Sequence, residues 1–222
     1  IISAVEHPAV MHASNSLRKS GWEVEALPVD NYGQINLEIL EKYLDPPTKI
    51  VSVIWAQNEV GTIQPIRIIG EKCRQRNIIF HTDATQYIHE GKINWSKEPI
   101  DLLSLSTHKI QGPKGVGLFM IKQEVISDIS PMFGGGDQEF GIRSGTESVA
   151  LIAGLTKAIQ NKVEPSSLQE QDSSRVKLMT DILKKELLSI KGINLTGDPR
   201  NRLYNHISLL ISDSQLKPVS AR

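Results

Sequence analysis

The sequence predicts an α/β fold built on a mainly parallel sheet, and three observations carry that prediction. Short β-branched runs alternate with amphipathic segments along most of the chain. One run, "IVSVIWA", is apolar nearly throughout, as a central strand covered on both faces requires. Residues able to do chemistry (Asn58, Asp83, Lys109) recur just after the apolar runs, at the strand ends where open parallel sheets gather function.

Taken in order, "IISAV" reads as the first strand, and Pro8 to Lys19 as a helix with Pro8 in its first turn and Gly21 past its end. "WEVEALPV" is the second strand, Leu37 to Tyr43 a short helix, and "KIVSVIWA" the third strand. A helix from Ile66 to Arg76 then precedes the strands "NIIFHTDA", "DLLSLST" and "GVGLFMIK". After "FGGGDQEFGIRSGTES" the pattern changes to a helix over Ser148 to Asn161 and a long, highly charged one over Leu168 to Ile190. "INLTG" and "NHISLLIS" close the chain as strands. A boundary near Val163–Pro165 divides a large domain, 1–163, from the start of a smaller α+β domain, 164–222. Internal repeats and low-complexity tracts are absent from the sequence.

The 222 residues carry 25 Lys+Arg against 25 Asp+Glu, and this neutral balance without a basic block argues against nucleic acid as a partner. No apolar run approaches a bilayer span, so no membrane association is expected. The single cysteine, Cys73, rules out an internal disulfide framework and suits a reducing, cytoplasmic compartment. The opening "IISAVEHPAV" lacks Met and starts inside a strand-like run, and the chain stops just after its last strand, so it is expected to be a fragment of a longer protein.

The stretch "SLSTHKIQGPKG" places Ser106, His108 and Lys109 together before a Gly-Pro break. A lysine there reads either as a solvated strand end or as a Schiff-base lysine, whose amine must be partly neutral to attack an aldehyde. Burial in a cleft and neighbouring positive charge are what would depress its pKa. Asp83, in "HTDATQ", reads as a helix cap, a base, a metal ligand or a partner for a protonated ring nitrogen. A metal is poorly supported, because no second carboxylate or paired histidines lie nearby in sequence. An imine-forming lysine, a carboxylate for a pyridinium and small donors for a phosphate together describe a pyridoxal phosphate (PLP) site. Cys73, inside the helix candidate "IGEKCRQRN", reads as a packed structural cysteine.

"EHPAV", "WAQNEVGTIQPI", "HTDATQ", "DLLSLSTHKIQGPKGVG" and "GGGDQEFGIRSGTES", in that order, resemble the cysteine desulfurase family, class V aminotransferases of PLP fold type I. The resemblance covers nearly the whole chain. It implies that Lys109 binds PLP covalently and later serves as the general base, and that Asp83 holds the pyridine nitrogen proton. Gln86 is implied as a donor to the phenolic oxygen, His7 as the imidazole stacked on the ring with a catalytic role, and Ser106 and His108 as phosphate ligands. Asn58 is implied near the phenolic oxygen and the substrate carboxylate. Thr146 is implied to reach the phosphate of a second copy, making the protein a homodimer.

The implied reaction converts L-cysteine to L-alanine and passes sulfur to an enzyme cysteine. From there it would go to sulfur-acceptor scaffold proteins for iron–sulfur clusters and other sulfur cofactors. The family's persulfide cysteine, its carboxylate-binding arginine and its early phosphate-binding loop have no counterpart in these residues. Another class V reaction (aminotransferase, selenocysteine lyase or other amino-acid lyase) and an inactive truncated product are the alternatives.

Overall fold

The computed structural model describes residues 1–90, 93–164 and 167–212. Strands β1 (Ile2–Ser3), β2 (Ala26–Leu27), β3 (Ile50–Ser52), β4 (Ile79–Asp83), β5 (Leu102–Ser106) and β6 (Gly117–Ile121) form one sheet in the order β2-β1-β3-β4-β5-β6. The first five run parallel, and β6 returns antiparallel against β5 with Ser106 opposite Gly117. A separate antiparallel pair, β7 (Ile193–Leu195) and β8 (Leu209–Ile211), follows the long helices. The mainly parallel α/β architecture is therefore as expected, and every run read as a strand contributes one.

The strands are shorter than the apolar runs. From "WEVEALPV" only Ala26–Leu27 enters the sheet, on an outer edge where Trp22, Glu23 and Glu25 are exposed. Helix α1 spans Pro8–Lys19 as expected, and Gly21 follows it at φ 91°, a backbone region that costs glycine little. Helix α2 covers Leu37–Glu41 and stops before Tyr43, because the Tyr43 and Leu44 amides turn to carbonyls three residues back. Asn36 starts it, its Oδ1 accepting from the Glu38 and Ile39 amides.

Helix α3 (Ile66–Arg74) ends in a Schellman turn. Asn77 takes φ 54°, its amide donates to the Arg74 carbonyl at 3.2 Å, and the Ile78 amide donates to that of Cys73 at 3.0 Å. That turn feeds β4. The core lies between α3 and the sheet, where Ile66, Ile69 and Cys73 meet Val51, Phe80 and Leu103, all buried. Gly70 permits the approach, since a Cβ there would run into the Pro99 carbonyl and stand 3.0 Å from the Phe80 ring.

Helix α4 (Val149–Val163) and helix α5 (Ser167–Leu188) flank the expected boundary, of which Pro165 lies outside the described residues. α5 packs against β7 and leaves Leu178, Met179, Ile182 and Leu183 exposed. No helix among the described residues is long and apolar enough to cross a membrane.

Candidate active site

Parallel strands deliver their carboxyl ends to one edge, and β1, β3, β4 and β5 are neighbours there. Past β1, His7 caps α1: its Nδ1 accepts from the Ala9 amide at 3.2 Å, so a neutral His7 carries its proton on Nε2. In β4 the strand period sends Phe80 and Thr82 into the core and His81 and Asp83 to the opposite face. Asp83 Oδ1 accepts from the Thr85 amide at 2.9 Å, while Oδ2 takes no hydrogen bond among the described residues. The cap reading of Asp83 is thus corrected to an Asx turn, because the next helical turn, Tyr87–His89, starts too late for Asp83 to cap it. Thr85 Oγ1 in turn accepts from the Ser106 amide at 3.2 Å and ties the end of β4 to that of β5.

The Gly-Pro break after Lys109 now has a structural cause. Thr107–Ile110 form one tight 3₁₀ turn, Gln111 leaves it at φ 65°, and the Gly112 amide closes it onto the Thr107 carbonyl. A side chain at 112 would stand 2.7 Å from the Thr107 Cβ. The turn presents His108 and Lys109 outward, with Ser106 Oγ and His108 Nδ1 sharing a hydrogen bond of 2.9 Å. Trp55 and Tyr87 stack at 3.9 Å with their planes 7° apart, steadying the turn that carries Gln86.

These ends enclose a cavity of about 590 Å³ lined by seven of the eight expected residues: His7, Asn58, Asp83, Gln86, Ser106, His108 and Lys109. Thr85, Ser104, Ile54 and Phe119 are among the other residues of its walls. A larger recess of about 720 Å³ sits by Ile1 and Ile50, at the amino ends of the strands, and contains none of the expected residues. Thr146 is exposed and lies outside the cavity lining. Lys109 is exposed as well, so the burial expected of it is absent from this chain: its turn stands at the rim of the cavity. Cys73 is fully buried in α3, and burial pushes its thiol up to about 12, which fits the structural reading.

Two groups beside the cavity escape sequence reasoning. His81 sits between Ser52 Oγ at 2.7 Å and Ser104 Oγ at 2.9 Å, and burial pushes it down to about 4 against the pull of Asp83. A neutral His81 leaves the Asp83 carboxylate without a protein cation on that side. The signal for it is the His81–Asp83 spacing of two in a strand. Glu6 is buried, and its Oε1 accepts from Ser3 Oγ at 2.5 Å and from the Ile54 amide at 2.6 Å. Its Oε2 has no partner among the described residues, and burial pushes the carboxyl up to about 7. Nothing local in "AVEHPAV" distinguishes this glutamate from a solvated one.

The chain is similar to known proteins over nearly its whole length. The cysteine desulfurase IscS of Methanosarcina thermophila is 42% identical over 209 residues, 94% of this chain and 50% of that protein. The mitochondrial cysteine desulfurase of Saccharomyces cerevisiae is 40% identical over 202 residues, 91% of this chain and 40% of that protein. Among solved structures, a NifS-like protein superposes with a TM-score of 0.82 at 34% identity, covering 95% of this chain and 57% of the other. A structure described as SspA in complex with cysteine gives 0.79 at 30% identity, covering 96% and 58%. The chain spans about half the length of the curated relatives it matches. The family model for class-V aminotransferases matches residues 1–219, and the chain belongs to that family.

Proposed function

We propose that the chain carries the PLP-binding site of a cysteine desulfurase, converting L-cysteine to L-alanine and passing on the sulfur. The observation that supports this reading best is the convergence of His7, Asn58, Asp83, Gln86, Ser106, His108 and Lys109 on one cavity at the strand ends. The donor set suits PLP: an amine for its aldehyde, a carboxylate for its ring nitrogen, and hydroxyl and imidazole groups for its phosphate. PLP, when bound, supplies an electron sink that makes the substrate α-proton acidic.

The residues divide the remaining work. Lys109 would hold the cofactor and then move the α-proton. Asp83, fixed through Oδ1 by Thr85, would use Oδ2 to keep a proton on the ring nitrogen. Ser106 and the adjacent His108 would hold the phosphate, and His7, with its proton on Nε2, would face the ring. Gln86 and Asn58 would orient the phenolic oxygen and the substrate carboxylate. Cys73 is excluded as sulfur acceptor, since a buried thiol pushed up to about 12 supplies no thiolate at the cavity. The 222 residues by themselves are therefore expected to lack desulfurase turnover.

The protein would act as a homodimer with Thr146 completing the partner's phosphate site. In the segment leading to Thr146, Met132 and Phe140 are 87% and 91% exposed, as residues covered by a second copy would be. The proposed boundary at 163/164 follows the end of α4 at Val163. Sulfur-acceptor proteins of iron–sulfur cluster assembly are the proposed partners. The reducing compartment read from Cys73 suits the cytoplasm, and equally the mitochondrion named for the yeast relative.

The test is covalent trapping. The chain incubated with PLP and reduced with borohydride is expected to carry one stable adduct, on the peptide containing Lys109. An adduct that survives Lys109→Ala overturns the assignment.

A further inference from the structure

We propose that Arg202 is a positioning residue for Asn58, clamping the 57–63 loop of the cavity to the segment that follows α5. The inference rests on the PLP-site reading for its functional meaning, but its geometry stands independently. Arg202 is buried, and its guanidinium donates to four backbone carbonyls. One nitrogen reaches Thr196 at 3.0 Å and Asp198 at 3.3 Å; the other reaches His206 and Val60, both at 3.1 Å. Three of these acceptors lie beyond α5, and the fourth, Val60, lies two residues from Asn58.

The same two segments are joined along their length. Thr62 and Arg202 form an antiparallel bridge, with the Ile63 amide donating to Asn201 at 2.8 Å and the Leu203 amide to Gly61 at 2.9 Å. The His206 ring Nε2 lies 3.3 Å from the Asn58 carbonyl oxygen. Glycine makes the approach possible on both sides. A Cβ at Gly61 would stand 2.8 Å from that of His206, and one at Gly197 would stand 2.6 Å from the Val60 carbonyl oxygen.

Position in the fold gives the clamp its role. Asn58 has no strand beneath it: it sits on a turn whose amides at Glu59 and Val60 donate to Gln57 Oε1 at 2.6 and 2.8 Å. The turn's outer anchor is the Arg202 segment, from the far side of the proposed domain boundary. A displacement of that segment moves Asn58 in the cavity, so Asn58 reports the placement of the second domain to the cofactor site.

A double-mutant cycle on the full chain tests this, reading PLP affinity from the absorbance of the bound cofactor. Arg202→Met is expected to weaken PLP binding about tenfold, the worth of one good hydrogen bond lost from Asn58. Asn58→Ala should cost a similar factor, and the double variant should be no worse than Asn58→Ala alone. Factors that multiply, or no effect of Arg202→Met, overturn the proposal. Gly197→Ala presses on the Val60 carbonyl without removing the guanidinium and must show the same dependence on Asn58, which covers the case in which Arg202→Met does not fold. Amide hydrogen exchange of residues 57–62 without PLP separates the clamp from the site reading. Faster exchange in either variant supports the clamp, unchanged protection refutes it, and wild-type chain that binds no PLP refutes the site reading alone.

Discussion

Replacing Glu6 with glutamine should make the protein more stable at alkaline pH, against the usual expectation for a buried, hydrogen-bonded residue. Glu6 is 4% exposed, and burial pushes its carboxyl from the ordinary 4.5 to about 7. Asp83 adds to that push, while the Ser3 hydroxyl and the Ile54 amide oppose it. Between these values the folded chain keeps a proton that the unfolded chain has released. The contribution of Glu6 to stability is therefore full below about pH 4.5 and lost as pH rises toward 7. At about 1.4 kcal/mol for each tenfold difference in proton affinity, the loss comes to ~3 kcal/mol.

The glutamine side chain would keep the acceptor for Ser3 and Ile54 and remove the titration, so E6Q should match the wild type at about pH 4 and exceed it by ~3 kcal/mol at about pH 8. The assay is urea unfolding at several pH values, with midpoints converted by linear extrapolation. His81 and His89, both pushed down to about 4 chiefly by burial, give the opposite slope: their contributions are lost as pH falls below about 6.5. Both histidines are present in the two proteins, so the difference between wild type and variant isolates Glu6. A difference that stays flat with pH, or a variant that loses ground toward pH 8, would refute the reasoning.

In the proposed holoenzyme, Asp83→Ala should lower turnover far more than PLP content, because the phosphate contacts remain while the ring loses its protonated nitrogen. Equal losses, measured by absorbance and by alanine formation, would reassign Asp83 to its turn with Thr85. Cys73 should resist a thiol reagent until the chain unfolds, and Cys73→Ser should cost about 1–3 kcal/mol by placing a hydroxyl in the apolar core. Rapid labelling of the native chain would contradict the burial seen in α3.

What could be read from the sequence and what could not divide along the distance between interacting residues. Ser106, His108 and Lys109 share one turn, and Asp83 and Gln86 share another, so their grouping is visible in a short stretch of chain. The strand order brings these stretches together, and an alternation of β-branched runs with amphipathic helices is enough to place them at one edge. The helix ends at Glu41 and Arg74 shift by two residues from expectation because local turns compete with the last helical bonds. Lys109 shows the limit of a local reading: its tight turn is legible from "THKIQG", while its exposure depends on what surrounds the rim.

Glu6 and Arg202 have no local signature because the partner that ties each of them to the site is remote. The Ile54 amide lies 48 positions from Glu6, and the Val60 carbonyl lies 142 positions from Arg202. In both cases that remote partner is a backbone atom, and a backbone atom leaves no residue type in the sequence to pair with. The two contacts also do the same job from opposite sides. Glu6 ties the exit of β1, and so His7, to the end of β3; Arg202 ties the loop that follows β3, and so Asn58, to the chain beyond α5. Residues that touch the cofactor can be read as motifs because their chemistry is fixed. Those that hold them in place emerge only when the backbone is folded, and the pH dependence of Glu6 and the Asn58 dependence of Arg202 are where their effect becomes measurable.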